Sequence, residues 1–253
     1  MSFGLSRGRR LDVAPGVVGI DRAEIPPLPD EIMQDPEAGW IDLRALFRGG
    51  DNPDRPIEIE IGPGKGSFLL AHAAAYPEVD LLGIEHAGEV WAYAADRVRR
   101  RKLENVRLLC ADATEFLRWR TPTQTIRTIH LYYSDPWPKK RHHKNRVIQD
   151  RFLADAWRVL EPGGELRIVT DHDELWAWCE GYIARWTEDE PPLPLAGASP
   201  SRADGDRAGP AFERRPFVPP PWAKEGEVVG TNYERKFCSP EHRPHAAVLR
   251  KLG

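Results

Sequence analysis

From residue 56 onward the apolar positions fall into two alternating periods. Short apolar or β-branched runs bounded by turn residues are PIEIEI (56–61), DLLGIE (80–85), VRLLCA (106–111), TIHLYY (128–133) and ELRIVT (165–170). These runs predict strands. Between them lie SFLLAHAAAY, EVWAYAADRVRRR, ATEFLRWR, RVIQDRFLADAWRVL and DELWAWCEGYIARW, which predict helices. Order resumes with GEVVGTNYERKF and closes on a last predicted strand, HAAVLR (245–250). Strands alternating with helices imply an α/β fold, a doubly wound and mostly parallel sheet with helices on both faces. In such folds a ligand sits beyond the carboxyl ends of the strands, which directs attention to the loops there.

The flanks lack this rhythm. Residues 1–36 are polar and rich in Pro and Arg, and predict a flexible arm with a basic knot at Arg7, Arg9 and Arg10. Residues 37–48 (EAGWIDLRALFR) predict a short helix leading into a single domain that runs to residue 253. Residues 188–222 hold nine prolines among Gly, Ser and charged residues, more than a packed helix or central strand tolerates. They predict an irregular surface insertion, in part disordered.

Composition narrows the partners. A hydrophobic share of 41% supports a real core, and charged residues at 30% nearly cancel to a net charge of -3. Bulk charge therefore predicts no polyanionic partner, and any such partner must be met by a local patch. Cys110, Cys179 and Cys238 are scattered and form no C-x-x-C pair, so neither a disulfide framework nor a zinc site is expected. No apolar run suits a signal peptide or a membrane span, which implies a soluble protein of a reducing cytoplasm.

The first strand runs into a glycine turn, EIGPGKG (60–66), with Gly62, Gly64 and Gly66 spaced for a tight turn and close backbone approach. A strand before it and a helix after it are the context of a cofactor loop. Pro63 supplies no N–H for a pyrophosphate, and the spacing is GxGxG rather than GxGxxG. Acids then recur at successive strand ends: Glu60, Glu85, Asp112 and Asp135. Each alone could be a solvated or helix-capping residue, as Asp112 before ATEF suggests. Together they would repel a dinucleotide but suit S-adenosylmethionine, which carries no phosphate and bears a cationic sulfonium.

The fourth strand leads into SDPWPKKRHHKNR (134–146). Pro136 and Pro138 stiffen a bend holding Asp135, able to bond a base edge, and Trp137, able to stack or simply to pack. Lys139, Lys140, Arg141, His142, His143, Lys144 and Arg146 follow at once. A solvated basic loop is the plain alternative, but the position beside Asp135 favours a grip on phosphates flanking a base. His142 and His143 are adjacent and lack helical ligand spacing, so no metal is expected.

EIGPGKG, GIEH (83–86), the DA of 112–113, SDPWPKKRHHKNR, TDHDE (170–174) and TNYE (231–234) occur in the order and rough spacing of the bacterial tRNA (guanine-N7-)-methyltransferases. The resemblance spans about 56–187 and 231–236, and the DPWxKKRH block carries it most specifically. It implies a Rossmann-like class I methyltransferase that uses S-adenosylmethionine to methylate N7 of a guanosine in the tRNA variable loop. It further implies that Glu60, Glu85, Asp112 and Asp135 surround the donor, with Asp135 catalytic. Lys139 and Asp171 would meet the substrate, Thr231, Asn232, Tyr233 and Glu234 would close over the guanine, and Arg141, His142, His143, Lys144, Asn145 and Arg146 would contact RNA. Ser134 and Pro138 depart from the family's usual Pro and His, and the 188–222 insertion and the tail after Glu234 are also unusual.

Guanine N7 carries an exposed lone pair and no hydrogen, so its methylation needs no general base. The enzyme must align N7 with the methyl–sulfur bond, which supplies about 7–11 kcal/mol of barrier reduction at best. Asp135 would stabilise the cationic product by charge. A nicotinamide oxidoreductase, a noncatalytic RNA-binding module and an amine-directed RNA methyltransferase are the competing readings. Composition and motifs leave oligomeric state open.

Overall fold

The computed structural model describes residues 5, 8, 10–47, 54–195, 209–239 and 241–253. The chain divides into two compact units, 1–122 and 123–253. Each has its own strands and helices.

The first unit contains β1 (Gly19–Ile20), β2 (Ile57–Ile61), α1 (Ser67–Ala75), β3 (Asp80–Glu85), α2 (Gly88–Arg101), β4 (Val106–Cys110) and α3 (Ala113–Arg120). Its strands lie in the order β1-β4-β3-β2, and every pairing is parallel. Parallel strands are buried on both faces, and all five residues of β2 are buried, its glutamates included. Glu58 survives there because His72 Nε2 of α1 lies 2.7 Å from its carboxylate. The core joins Leu69, Leu81, Val98, Val106 and Leu108.

The second unit contains β5 (Ile126–Tyr132), α4 (Asp150–Val159), β6 (Leu160–Thr170), α5 (Asp173–Thr187), β7 (Phe212–Arg215), α6 (Asn232–Phe237) and β8 (His245–Lys251). β5 and β6 are parallel, whereas β8 runs antiparallel between β6 and β7. Lys251 ends β8 in the core, its ammonium donating to the Leu160 carbonyl at 2.7 Å and lying over the Trp157 ring. The α/β class and the mostly parallel pairing match the sequence pattern.

Several boundaries differ from expectation. Residues 37–47 form no α-helix; two short 3₁₀ turns, Pro36–Gly39 and Arg44–Leu46, stand there instead, each followed by an extended residue, and residue 48 of the expected helix lies outside the described residues. Gly39 shows how tightly they pack, since an added Cβ would lie 2.5 Å from Ile32 Cδ1 and from the Trp119 carbonyl. Part of the expected arm is built into the fold. Val18 is buried with Val13, Ala14 and Val17 against α2 and β4, and Gly19 pairs with Leu108. Short apolar residues spaced through a polar stretch were too sparse to register as an element. Arg7 and Arg9 lie outside the described residues, and Arg10 is exposed.

The Pro-rich stretch also hides β7. Pro210 and Pro216 flank Phe212–Arg215 without interrupting it, so the strand keeps its ladder donors. Phe212 is fully buried, 6.2 Å from Trp186 between ring centroids. Residues 196–208 of the stretch lie outside the described residues. Helix α4 begins at Asp150 rather than 146, because a 3₁₀ turn, Lys140–Asn145, and extended residues at Arg146 and Gln149 precede it.

Candidate active site

In the first unit the chemistry gathers where β2, β3 and β4 end. Gly62, Gly64 and Gly66 all adopt positive φ, at 65°, 55° and 69°. An added Cβ meets nothing within 4 Å at Gly62, so it is backbone geometry rather than space that requires glycine there. A side chain in this region costs about 1–2 kcal/mol. The turn leads straight into α1.

Two carboxylates flank it. Glu85, ending β3, is pinned by backbone donors: Gly64 N–H at 3.1 Å and Ala87 N–H at 2.9 Å. Glu60, in β2, is 4% exposed, and its Oε2 has no partner among the described residues. Burial above all, and then the charge of Glu85, push the Glu60 carboxyl up to about 8; the Leu69 backbone N–H offsets this in part. A buried carboxyl with a spare acceptor oxygen beside a second carboxylate is a receptor for a positively charged or N–H-bearing group.

Asp112 caps α3. Its Oδ1 accepts from Thr114 N at 2.9 Å, Thr114 Oγ1 at 2.7 Å and Glu115 N at 3.2 Å, while Oδ2 takes none of these bonds. Partial burial works to raise its pKa, yet the Thr114 and Glu115 hydrogen bonds hold it below the ordinary value. Capping and ligand contact are compatible, because one oxygen does the first and leaves the other. Beside Asp112 opens a cleft of about 270 Å³, walled in part by Ile25, Pro26, Leu28, Phe116 and Trp119.

In the second unit, the loop after β5 carries Asp135, which is exposed. Backbone strain brackets it: Tyr133 has φ 55° and Trp137 has φ 43°, both left-handed at bulky residues. Lys139, Lys140, Arg141, Lys144 and Asn145 are exposed, as a phosphate-gripping run requires. His142 and His143 are half-buried, edge-on to Trp137 (5.7 Å) and Trp178 (5.4 Å) respectively.

Arg146 is different. The motif suggests an RNA contact, but its side chain is 1% exposed. Its Nε donates to the Pro136 carbonyl at 2.9 Å, and Nη2 donates to Glu174 at 2.8 Å and more weakly to the Trp137 carbonyl at 3.5 Å. The guanidinium also lies 5.1 Å from the Trp178 ring centroid. A guanidinium so enclosed has no face left for a phosphate.

The TNYE segment is likewise divided. Thr231 caps α6, its hydroxyl accepting from Glu234 N at 3.1 Å. Glu234 is 3% exposed and its carboxylate accepts backbone N–H bonds from Val228, from Val229 at 2.9 Å and from Gly230 at 2.8 Å. With both oxygens engaged inside the protein, Glu234 anchors the loop before α6 rather than reading a base. Asn232 and Tyr233 are exposed. The Tyr233 ring lies 4.8 Å from Tyr133 and 4.7 Å from Phe237, and its hydroxyl donates to Asp171 Oδ2 at 3.2 Å. Partial burial of the hydroxyl end of this otherwise exposed side chain, and then Asp171, push the Tyr233 hydroxyl up to about 12, so it stays a donor at neutral pH.

Three features escape a reading of the sequence. Gly83, inside β3, sits so close to the glycine turn that an added Cβ would lie 2.5 Å from Leu69 Cδ1 and 3.2 Å from Pro63 Cγ. A glycine within an otherwise apolar strand is the signal that could have marked it. The anchoring roles of Arg146 and Glu234 leave no such trace, since charged residues read as surface.

Residues 54–187 match a family model described as a putative methyltransferase. The chain is 37% identical to a tRNA (guanine-N(7)-)-methyltransferase of Nitrobacter hamburgensis over 72% of its own length and 68% of that protein's. It is 34% identical to one of Halorhodospira halophila, over 85% and 81% respectively. Against one of Alkalilimnicola ehrlichii the figures are 38% identity, 72% and 73%. With its glycine turn and strand-end acids in place, the chain belongs to the tRNA (guanine-N7-)-methyltransferase family.

Proposed function

We propose that this chain methylates N7 of a guanosine in the variable loop of tRNA, with S-adenosylmethionine as donor and Asp135 beside the reacting base. The observation that carries the reading is the Glu60–Glu85 pair, a buried carboxyl with a spare oxygen next to a carboxylate held by Gly64 and Ala87. Such a pair rejects a pyrophosphate and receives a cation. That separates it from a nicotinamide site.

The bound donor supplies a methyl group already activated by its positive sulfur. Glu85, fixed by two backbone donors, keeps acceptor capacity for ribose hydroxyls. The spare oxygen of Glu60 accepts from a cationic amine, and Asp112 lines a cleft in which Phe116 and Trp119 offer apolar surface to a flat ring. The positive φ of Gly62 and Gly64 keeps side chains out of the backbone's approach to the ligand.

Guanine N7 is itself the nucleophile, so the protein moves no proton in the transfer. Asp135 faces the charge that develops on the purine and stabilises it electrostatically. Lys139, Arg141 and Lys144 offer exposed positive charge to the neighbouring phosphates. Asn232 and Tyr233 supply the exposed polar and aromatic face of α6 for the base.

The test is Asp135→Asn, which keeps shape and removes charge. Calorimetric affinity for S-adenosylhomocysteine should hold, while single-turnover methyl transfer to tRNA should slow on the order of 10²-fold. Unchanged transfer would remove Asp135 from the reaction.

A further inference from the structure

We infer that Arg146 is a positioning residue for the Asp135 loop: its guanidinium holds the strained Pro136–Trp137 backbone in the one geometry that presents Asp135. The inference rests on the reading of Asp135 given above. It concerns an arginine that the family motif places among surface cations.

The argument starts from the loop. Asp135 is exposed and stands between two residues in left-handed conformation, Tyr133 at φ 55° and Trp137 at φ 43°. Backbone in such regions persists only where the surroundings over-determine it. Tyr133 is held by its ring, 4.8 Å from that of Tyr233. At the other end the restraint is Arg146, which donates to the carbonyls of Pro136 (2.9 Å) and Trp137 (3.5 Å). Prolines at 136 and 138 supply no N–H, so Trp137 is left with the sole backbone donor of the three residues, and the carbonyls must be held from outside.

Arg146 is itself over-determined. Glu174 of α5 takes Nη2 at 2.8 Å, Trp178 one turn later lies under the guanidinium at 5.1 Å, and Trp178 Nε1 is tied to the Ile148 carbonyl at 2.8 Å. His143 Nε2 stands 3.5 Å from the same Glu174 carboxylate. A planar fork that reaches two carbonyls and a carboxylate while stacking on a ring cannot be copied by lysine, which carries a point charge. The arrangement converts the rigidity of α5 into a fixed direction for Asp135.

The experiment compares full-length Arg146→Lys, Arg146→Ala, Glu174→Gln and Asp135→Asn in methyl transfer at saturating tRNA and donor. Arg146→Lys should lower kcat on the order of tenfold to hundredfold, as expected when a reacting geometry loosens. Its affinity for S-adenosylhomocysteine and the salt slope of tRNA binding should stay as in the parent. Added guanidinium ion should recover part of the missing kcat in Arg146→Ala. Glu174 is exposed, so Glu174→Gln keeps the fold even if both arginine variants fail to, and should show a smaller fall in kcat with unchanged donor affinity. A salt slope reduced by about one with kcat intact would make Arg146 a phosphate ligand and overturn the inference. So would full kcat in Arg146→Lys or in Glu174→Gln, or a drop in thermal stability without any change in kcat. Normal turnover by Asp135→Asn would instead sink the reading of Asp135 itself, which keeps the two failures apart.

Discussion

The residue that most constrains this site is Glu60. Its carboxyl is raised from 4.5 to about 8 by burial and by Glu85. Between those two values the unfolded chain ionises while the folded chain keeps the proton. The folded state therefore loses stability as pH rises from 4.5 to 8, and no further above that. Glu60→Gln should flatten this fall and melt higher than the parent at pH 9, as measured by thermal unfolding across pH. A cationic group arriving at Glu60 favours its charged form. Binding of S-adenosylhomocysteine at pH 7 should thus release a proton, visible in calorimetry as a heat that differs between buffers of different ionisation enthalpy. Gly83 gives a second test at this scale. Gly83→Ala forces its Cβ against the buried Leu69 and the turn residue Pro63, and should cost about 1–3 kcal/mol in urea unfolding.

At the scale of elements, α6 and the loop before it depend on one side chain. Glu234→Ala would leave the backbone N–H groups of Val228, Val229 and Gly230 without their acceptor. The destabilisation should be on the order of 3 kcal/mol, against about 1 kcal/mol for removing the Thr231 cap. Equal stability with weakened tRNA binding would restore Glu234 to the base. These elements also mark the limit of what the sequence discloses. β2 to β6 and α1 to α3 were legible because their apolar runs are long enough to show a period, and the glycine turn because Gly62, Gly64 and Gly66 follow a strand. β1 has two residues and β7 four, too few to show any period, and prolines on both sides disguised β7. Glu60, Glu85 and Asp112 were legible as strand-end acids. What could not be seen was which charged side chains turn inward. Arg146 and Glu234 carry the same letters as solvated neighbours, and only the backbone carbonyls and amides brought near them show their work.

At the scale of the whole molecule, a chain with net charge -3 has to meet a polyanion through a local patch. Lys139, Lys140, Arg141 and Lys144 are exposed together in one short stretch, and no helix among the described residues is long and apolar enough to cross a membrane. Replacing Arg141 and Lys144 by Ala should reduce the slope of log affinity for tRNA against log salt by about one for each phosphate left without its cation. An unchanged slope would make the run a solvated face. The proposed carboxylate-walled site for the methyl donor, in a chain that delivers the methyl to guanine N7, is tested most directly by the reaction product. Unmodified tRNA incubated with the pure protein and methyl-labelled S-adenosylmethionine, digested and resolved by mass spectrometry, should yield labelled 7-methylguanosine from the variable loop. Label on an exocyclic amine, or none in any nucleoside, would contradict that chemistry.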